Sequence, residues 1–196
     1  TLSPLETTFA IDKQLTQQGV RRYGFHGLSY QYVSQVLKRE APHSAGRTVM
    51  AHLGNGASVC ATTAHQSRAT TMGFSALDGL MMGTRSGALD PGVLLYLLEQ
   101  GWDHDRLQKL LYKQSGLLGV SGESADMRTL RASSTDAAKF ATDLFAHRVV
   151  REVGALSACI GGLDVLAFTG GIGEHDGVLR QQVCEALGYL GVRVDH

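Results

Sequence analysis

Apolar residues recur at threes and fours over 135–160. Ala138, Ala141, Leu144, Phe145, Val149, Val153, Leu156 and Ile160 share one face, which predicts a single long helix across the core, stopped at Gly161-Gly162. Residues 5–17 carry the same spacing and end at Gly19, and Val20 to Phe25 read as a short strand. Ser29 is placed to cap a following helix whose face is Tyr32, Val33, Val36 and Leu37, with a loop over 42–46. Two extended runs, 48–51 and 57–61, flank Gly54-Asn55-Gly56, and Asn-Gly between such runs predicts a tight hairpin with both turn residues at positive φ. A further strand is expected over 69–72, followed by a glycine-rich stretch, 73–92, with few regular elements. Asp90-Pro91 marks a helix start with Val93, Leu94, Leu97 and Leu98 inward, and a second helix is expected over 103–114. Residues 164–168 form a near-continuous apolar strand, as for one buried on both faces. It runs into the glycine loop Thr169-Gly170-Gly171-Ile172-Gly173-Glu174 and a helix near 177–187. Strand, glycine loop and helix form an α/β unit.

Composition narrows the class. Of 196 residues 43 % are apolar and 18 % charged, and only three are proline, which describes a compact globular chain rather than a disordered one. Lys+Arg and Asp+Glu are equal at 18 each, so no basic surface draws nucleic acid or an anionic membrane. Cys60, Cys159 and Cys184 are odd in number and without a C-x-x-C pair, which points to reduced thiols acting as small core hydrophobes in a cytoplasmic setting. No apolar run reaches the ~18 residues of a membrane helix. The start at Thr1 and the stop at Val194-Asp195-His196, after a strand-like run, read as a piece of a longer protein.

The 24 glycines concentrate where chemistry could sit. Gly54-Asn55-Gly56 and Gly170-Gly171-Ile172-Gly173 let backbone approach a ligand and turn N–H groups towards an anion, although each alone is equally an ordinary turn. Neither matches the dinucleotide fingerprint or the Walker A loop. Arg85 lies among glycines and hydroxyls in Leu80-Met81-Met82-Gly83-Thr84-Arg85-Ser86-Gly87, either a planar fork for carboxylate or phosphate oxygens or a plain surface arginine. His26, between a strand and a helix, could donate to a developing oxyanion or be a structural histidine, and His52 could brace the hairpin. His43, His65, His104 and His147 show no metal-ligand spacing.

Together these segments resemble the acetate kinases, with the propionate kinases as near neighbours. The resemblance rests on Arg22-Tyr23-Gly24-Phe25-His26-Gly27, Ala51-His52-Leu53-Gly54-Asn55-Gly56-Ala57-Ser58, Met72-Gly73-Phe74, the segment from Leu80 to Gly87, and Asp90-Pro91. It continues through Ser115 to Gly122, Asp126-Met127-Arg128 and Phe168 to Glu174, in family order along essentially the whole chain.

The resemblance implies an α/β, ribonuclease H-like lobe of the acetate and sugar kinase, heat-shock ATPase and actin fold. It also implies reversible phosphoryl transfer between ATP and acetate, giving ADP and acetyl phosphate. By position, His26 and Arg85 match the transition-state stabilisers, and His52, Leu53, Gly54, Asn55 and Gly56 match the phosphate-binding hairpin. Asp126, Met127 and Arg128 match the adenosine-contacting segment, and Gly171, Ile172, Gly173, Glu174 and His175 the second nucleotide loop. Leu28-Ser29-Tyr30, Ala69, Ala88 and His175 depart from the usual pattern beside these positions. The family's opening phosphate loop, its catalytic aspartate and its magnesium-holding glutamate have no counterpart here. Residues 1–196 are therefore expected to be one C-terminal lobe that binds nucleotide and forms the homodimer contact, without metal ligands of its own. Propionate is the alternative substrate. For the isolated chain, the alternative is a non-catalytic nucleotide-binding and dimerisation module.

Overall fold

The computed structural model describes residues 2–41 and 46–193. Helix α1 (Pro4–Thr7) is capped by Ser3, whose hydroxyl accepts from the Glu6 N–H, and α2 (Lys13–Gln17) by Asp12 in the same manner. The single helix expected over 5–17 is thus two short ones, parted by the extended residues around Thr8. Residues 20–25 form no strand. Their backbone bonds go to scattered partners, Arg22 N–H to the Thr7 carbonyl at 2.8 Å and Tyr23 N–H to that of Gly73 at 3.0 Å, so no ladder can form.

Helix α3 (Gly27–Glu40) starts two residues before Ser29, and its cap position is His26 in the left-handed region, φ 60°. Ser29 lies inside the first turn, and Tyr30 rather than the exposed Tyr32 is the buried aromatic. The loop expected over 42–46 falls largely on 42–45, outside the described residues, as do residues 194–196 at the chain's end.

The sheet begins with the expected hairpin. β1 (Arg47–Leu53) pairs antiparallel with β2 (Ala57–Thr63) from Arg47↔Thr63 to Leu53↔Ala57. The connection is three residues long, closed by Gly54 N–H to the Gly56 carbonyl at 3.1 Å, and neither Asn55 nor Gly56 adopts the positive φ of a two-residue turn. β3 (Gln66–Thr70) starts earlier than expected and pairs with β2, giving the order β3-β2-β1-β4. β4 (Val165–Thr169) runs parallel to β1, with His52 opposite Thr169. As an edge strand it is half-buried throughout, not covered on both faces.

Strand alternation sends Val49, Ala51, Leu53, Val59 and Ala61 to one face, the main core. Met50 and Cys60 go to the other, under Tyr30 of α3. Between them, α4 (Pro91–Glu99), α5 (His104–Lys113), α6 (Gly116–Ser121) and α7 (Met127–Ala132) lead to α8 (Asp136–Cys159). α4, α5 and α8 start on the side-chain caps Asp90, Asp103 and Thr135. At 24 residues α8 is about 36 Å long at 1.5 Å per residue and buries Ala138, Ala141, Phe145, Val149 and Val153 against the main core. α4 departs from expectation: it buries no side chain, and Leu95 and Tyr96 are 62 % and 58 % exposed. Cys60 and Cys184 are buried but Cys159 is exposed.

The expected loop after β4 is a short helix, α9 (Gly170–His175), followed by α10 (Gly177–Ala186). The entrance to the parallel pair is clipped by Arg47. Its backbone N–H and Nε donate to Asp164 Oδ2, at 2.7 and 3.0 Å, Nη2 donates to Oδ1 at 2.6 Å, and Nη1 donates to the Gly161 carbonyl. That fork holds the Asp164 carboxyl down to about 2.

Candidate functional site

Because β1 and β4 are parallel and adjacent, the segments leaving their carboxyl ends meet. These are the Gly54–Gly56 connection and α9. Gly170 joins them at φ +80°, and a Cβ there would lie 2.7 Å from the Leu53 carbonyl oxygen, so a side chain would force the two apart. α9 continues along β1 with Gly173 buried against Leu53 and Phe168. Arg180 of α10 closes its far end, Nη1 donating to the carbonyls of Gly173 at 2.9 Å and Glu174 at 2.7 Å.

At the same sheet edge two imidazoles stack, those of His26 and His52, with ring centroids 4.2 Å apart and planes inclined by 26°. Each is held from behind by a serine: His26 Nδ1 lies 2.8 Å from Ser58 Oγ, and His52 Nδ1 lies 2.8 Å from Ser29 Oγ. The Ser58 hydroxyl is also bonded to the Tyr30 hydroxyl. Burial, the neighbouring His52 and the Arg85 cation together bring His26 down to about 4, and burial lowers His52 as well, so both rings are neutral at neutral pH.

Arg85 completes the cluster. A Cβ built on Gly56 would lie 2.6 Å from Arg85 Nη2 and 3.5 Å from His26 Nε2, so the cation and the imidazole face one spot above Gly56. Arg85 Nη1 donates to the Ala76 carbonyl at 2.9 Å, and among the described residues no carboxylate pairs with the guanidinium. Arg22 is the contrast. Its Nη1 is spent on the carbonyls of Thr70, Thr71 and Met72 and on Asp78, with Glu6 beside Nε, which makes it a clamp for the irregular segment before His26.

The hairpin tip is tied to the glycine-rich stretch, Gly83 N–H donating to the Asn55 carbonyl at 3.1 Å. Gly83 lies between the Asn55 side chain and the Ala125 carbonyl, which brings Asp126 alongside. Asp126 caps α7 and pairs with Arg128 at 2.6 Å, which holds its carboxyl at about 2. Leu53 and Met127 point into the core and Ile172 packs against it, whereas Gly171, Glu174 and His175 are exposed. Sequence reasoning misses Ser58 and Tyr30. The hairpin register that sets Ser58 opposite His52 is the signal for the first, since it places a serine on the histidine's face.

The fold and this meeting of glycine segments define the class: an α/β lobe of the acetate and sugar kinase, heat-shock ATPase and actin fold. The structure of Porphyromonas gingivalis acetate kinase is similar at TM-score 0.94 and 38 % identity, covering 97 % of this chain and 50 % of that one. That of a Francisella tularensis propionate kinase is similar at TM-score 0.94 and 39 % identity, covering 100 % and 52 %. The acetokinase family profile matches residues 1–196, and the chain belongs to that family. Among curated relatives, an acetate kinase of Rhodopseudomonas palustris (strain TIE-1) is 56 % identical over 197 residues, 99 % of this chain and 50 % of that protein. One of Rickettsia felis is 49 % identical over 201 residues, 98 % and 50 %. The chain spans about half the length of the curated relatives it matches.

Proposed function

We propose that residues 1–196 are the nucleotide-binding C-terminal lobe of a cytoplasmic acetate kinase, which transfers phosphoryl reversibly between ATP and acetate. A carboxylate oxygen of acetate attacks the γ-phosphorus, the bond to the bridging oxygen breaks, and ADP leaves. Such a transition state spreads charge over three equatorial oxygens and calls for positioning and neutralisation rather than a covalent nucleophile.

The observation that carries the proposal is the Arg85 guanidinium, with no carboxylate partner among the described residues, held over Gly56 beside the neutral His26 ring. Arg85 supplies the full positive charge, and His26 supplies a hydrogen bond without a second cation to repel it. His52 and the Gly54–Gly56 tip flank the phosphates on one side. Gly171, Ile172, Gly173, Glu174 and His175 flank them on the other, Ile172 through its backbone. Asp126, Met127 and Arg128 lie on the adenosine side, where the core position of the Met127 side chain leaves its backbone for contact.

Magnesium accompanies ATP in phosphoryl transfer and takes one or two carboxylates besides phosphate oxygens. Among the described residues no group of three or more His, Cys, Asp or Glu side chains could hold a metal ion by protein ligands alone, and the carboxylate that would complete an ATP-bound magnesium is expected outside residues 1–196. Among the described residues, too, no helix is long and apolar enough to cross a membrane. The partner we assign to the lobe is a second copy of itself, and the apolar side chains that α4 leaves in water support a protein contact there.

The test is acetyl phosphate formation from ATP and acetate by the complete gene product and by the 196-residue chain alone, with propionate as competitor. The complete protein is expected to turn over acetate and the chain alone to be inactive. Turnover by the chain alone overturns the incomplete-lobe reading, preference for propionate overturns acetate, and inactivity of the complete protein on both overturns the kinase.

A further inference from the structure

Ser58 is fully buried in β2 and Tyr30 is 6 % exposed in α3, and their hydroxyls are hydrogen-bonded to each other behind His26. Two hydroxyls and one ring nitrogen in a row share a small number of protons, and their order can be worked out. The only hydrogen-bond partner of the Tyr30 hydroxyl among the described residues is Ser58 Oγ; a buried phenol proton without an acceptor is costly, so the order that satisfies both hydroxyls has the phenol donating to Ser58. Burial pushes the phenol up from its ordinary value, which keeps that proton in place. Ser58, accepting from Tyr30, has one proton of its own, and the atom that can take it is His26 Nδ1 at 2.8 Å. His26 is neutral at neutral pH and carries one ring proton, which then sits on Nε2, the nitrogen that faces the spot above Gly56 shared with Arg85 Nη2.

We propose that Tyr30 and Ser58 form a buried hydroxyl relay that holds His26 in its Nε2–H tautomer and so makes it a hydrogen-bond donor to an anion seated between Gly56 and Arg85. The proposal rests on the phosphoryl-transfer reading for the identity of that anion, but not for the tautomer. In the reversed order the ring would turn a lone pair towards the phosphoryl oxygens and repel them. Ser58 and Tyr30 are positioning residues: neither touches the reacting atoms, and both act through His26.

The experiment is ¹⁵N-edited NMR of the imidazole nitrogens in the 196-residue chain at neutral pH, with His26 assigned by the signal lost in His26→Gln. Nε2 is expected at the protonated, pyrrole-like position and Nδ1 at the unprotonated one. Ser58→Ala and Tyr30→Phe are expected to lose this single-tautomer pattern. In the complete enzyme, Ser58→Ala is expected to lower kcat on the order of tenfold, one hydrogen bond's worth, with KM for nucleotide unchanged. A wild-type ring protonated on Nδ1, or a Ser58→Ala ring still wholly Nε2–H, overturns the relay. The wild-type spectrum decides this even where a variant does not fold, and it needs no substrate. Failure of the relay and failure of the kinase reading are therefore told apart.

Discussion

Gly56 makes room for Arg85. A Cβ at position 56 would stand 2.6 Å from the Arg85 Nη2 atom, inside any tolerable contact, so the absence of a side chain at the hairpin tip lets the guanidinium lie against backbone. The tip is a glycine here for reach rather than for a left-handed φ, which none of its three residues adopts.

Gly56→Ala is therefore expected to push the guanidinium aside while the sheet persists. A misplacement of ~1 Å costs on the order of 10²-fold in rate. Turnover of the complete enzyme should fall by that order, with the circular dichroism of the variant unchanged.

Arg85→Ala removes the cation that faces Gly56 and has no carboxylate partner among the described residues. By analogy with arginine fingers, kcat should fall by roughly 10³ to 10⁵. Arg85→Lys should not restore it, since an ammonium cannot reproduce a planar fork that donates to Ala76 with one arm and to substrate with the other. Near-normal turnover of Arg85→Ala would remove the role assigned to it.

His26 makes stability depend on pH. Its folded value of about 4 lies below the ordinary 6.5, so the unfolded chain binds more protons between the two. The contribution is fully present above pH 6.5, is lost as pH falls from 6.5 towards 4, and does not change further below. With the ring half in solvent, this amounts to about 1–2 kcal/mol after screening. Urea denaturation of the chain at pH 7 and pH 4 measures it, and His26→Gln should flatten that part of the profile.

Phe145 is fully buried in the middle of α8, against the sheet. Phe145→Ala should cost about 3–5 kcal/mol by lost transfer and residual cavity. The readout is the urea midpoint at unchanged slope.

For the dimer, Leu95→Asp and Tyr96→Asp place charge on the apolar side of α4 that the chain leaves in water. Sedimentation should show the wild-type lobe at twice its chain mass and the double variant at the single mass. A wild-type lobe that sediments as a monomer withdraws the second copy.

Elements governed by near neighbours are legible in the amino-acid order alone. The hairpin over 47–63, the aspartate- and threonine-capped helices and the whole length of α8 rest on turn chemistry, capping and periodicity within a few residues. The segments of the candidate site are legible as well, through resemblance, but not their arrangement. Nothing near Arg22 or Arg85 in the chain says that one is consumed by three carbonyls and a carboxylate while the other has no carboxylate partner among the described residues.

By itself, then, the sequence determined the strands and helices with strong local signals, the family, and which residue types could handle phosphate. Tertiary structure decided the rest. It buried Tyr30 instead of Tyr32, left α4 in water, made β4 a half-buried edge, turned a glycine loop into a helix and stacked His26 on His52. The physical reason is range: the clip between Arg47 and Asp164 spans 117 positions, and Arg85 reaches its place over Gly56 only once sheet, hairpin tip and glycine-rich stretch have closed on one another. A side chain's charge, proton and exposure follow from what is brought against it, and that is set by packing across the whole lobe.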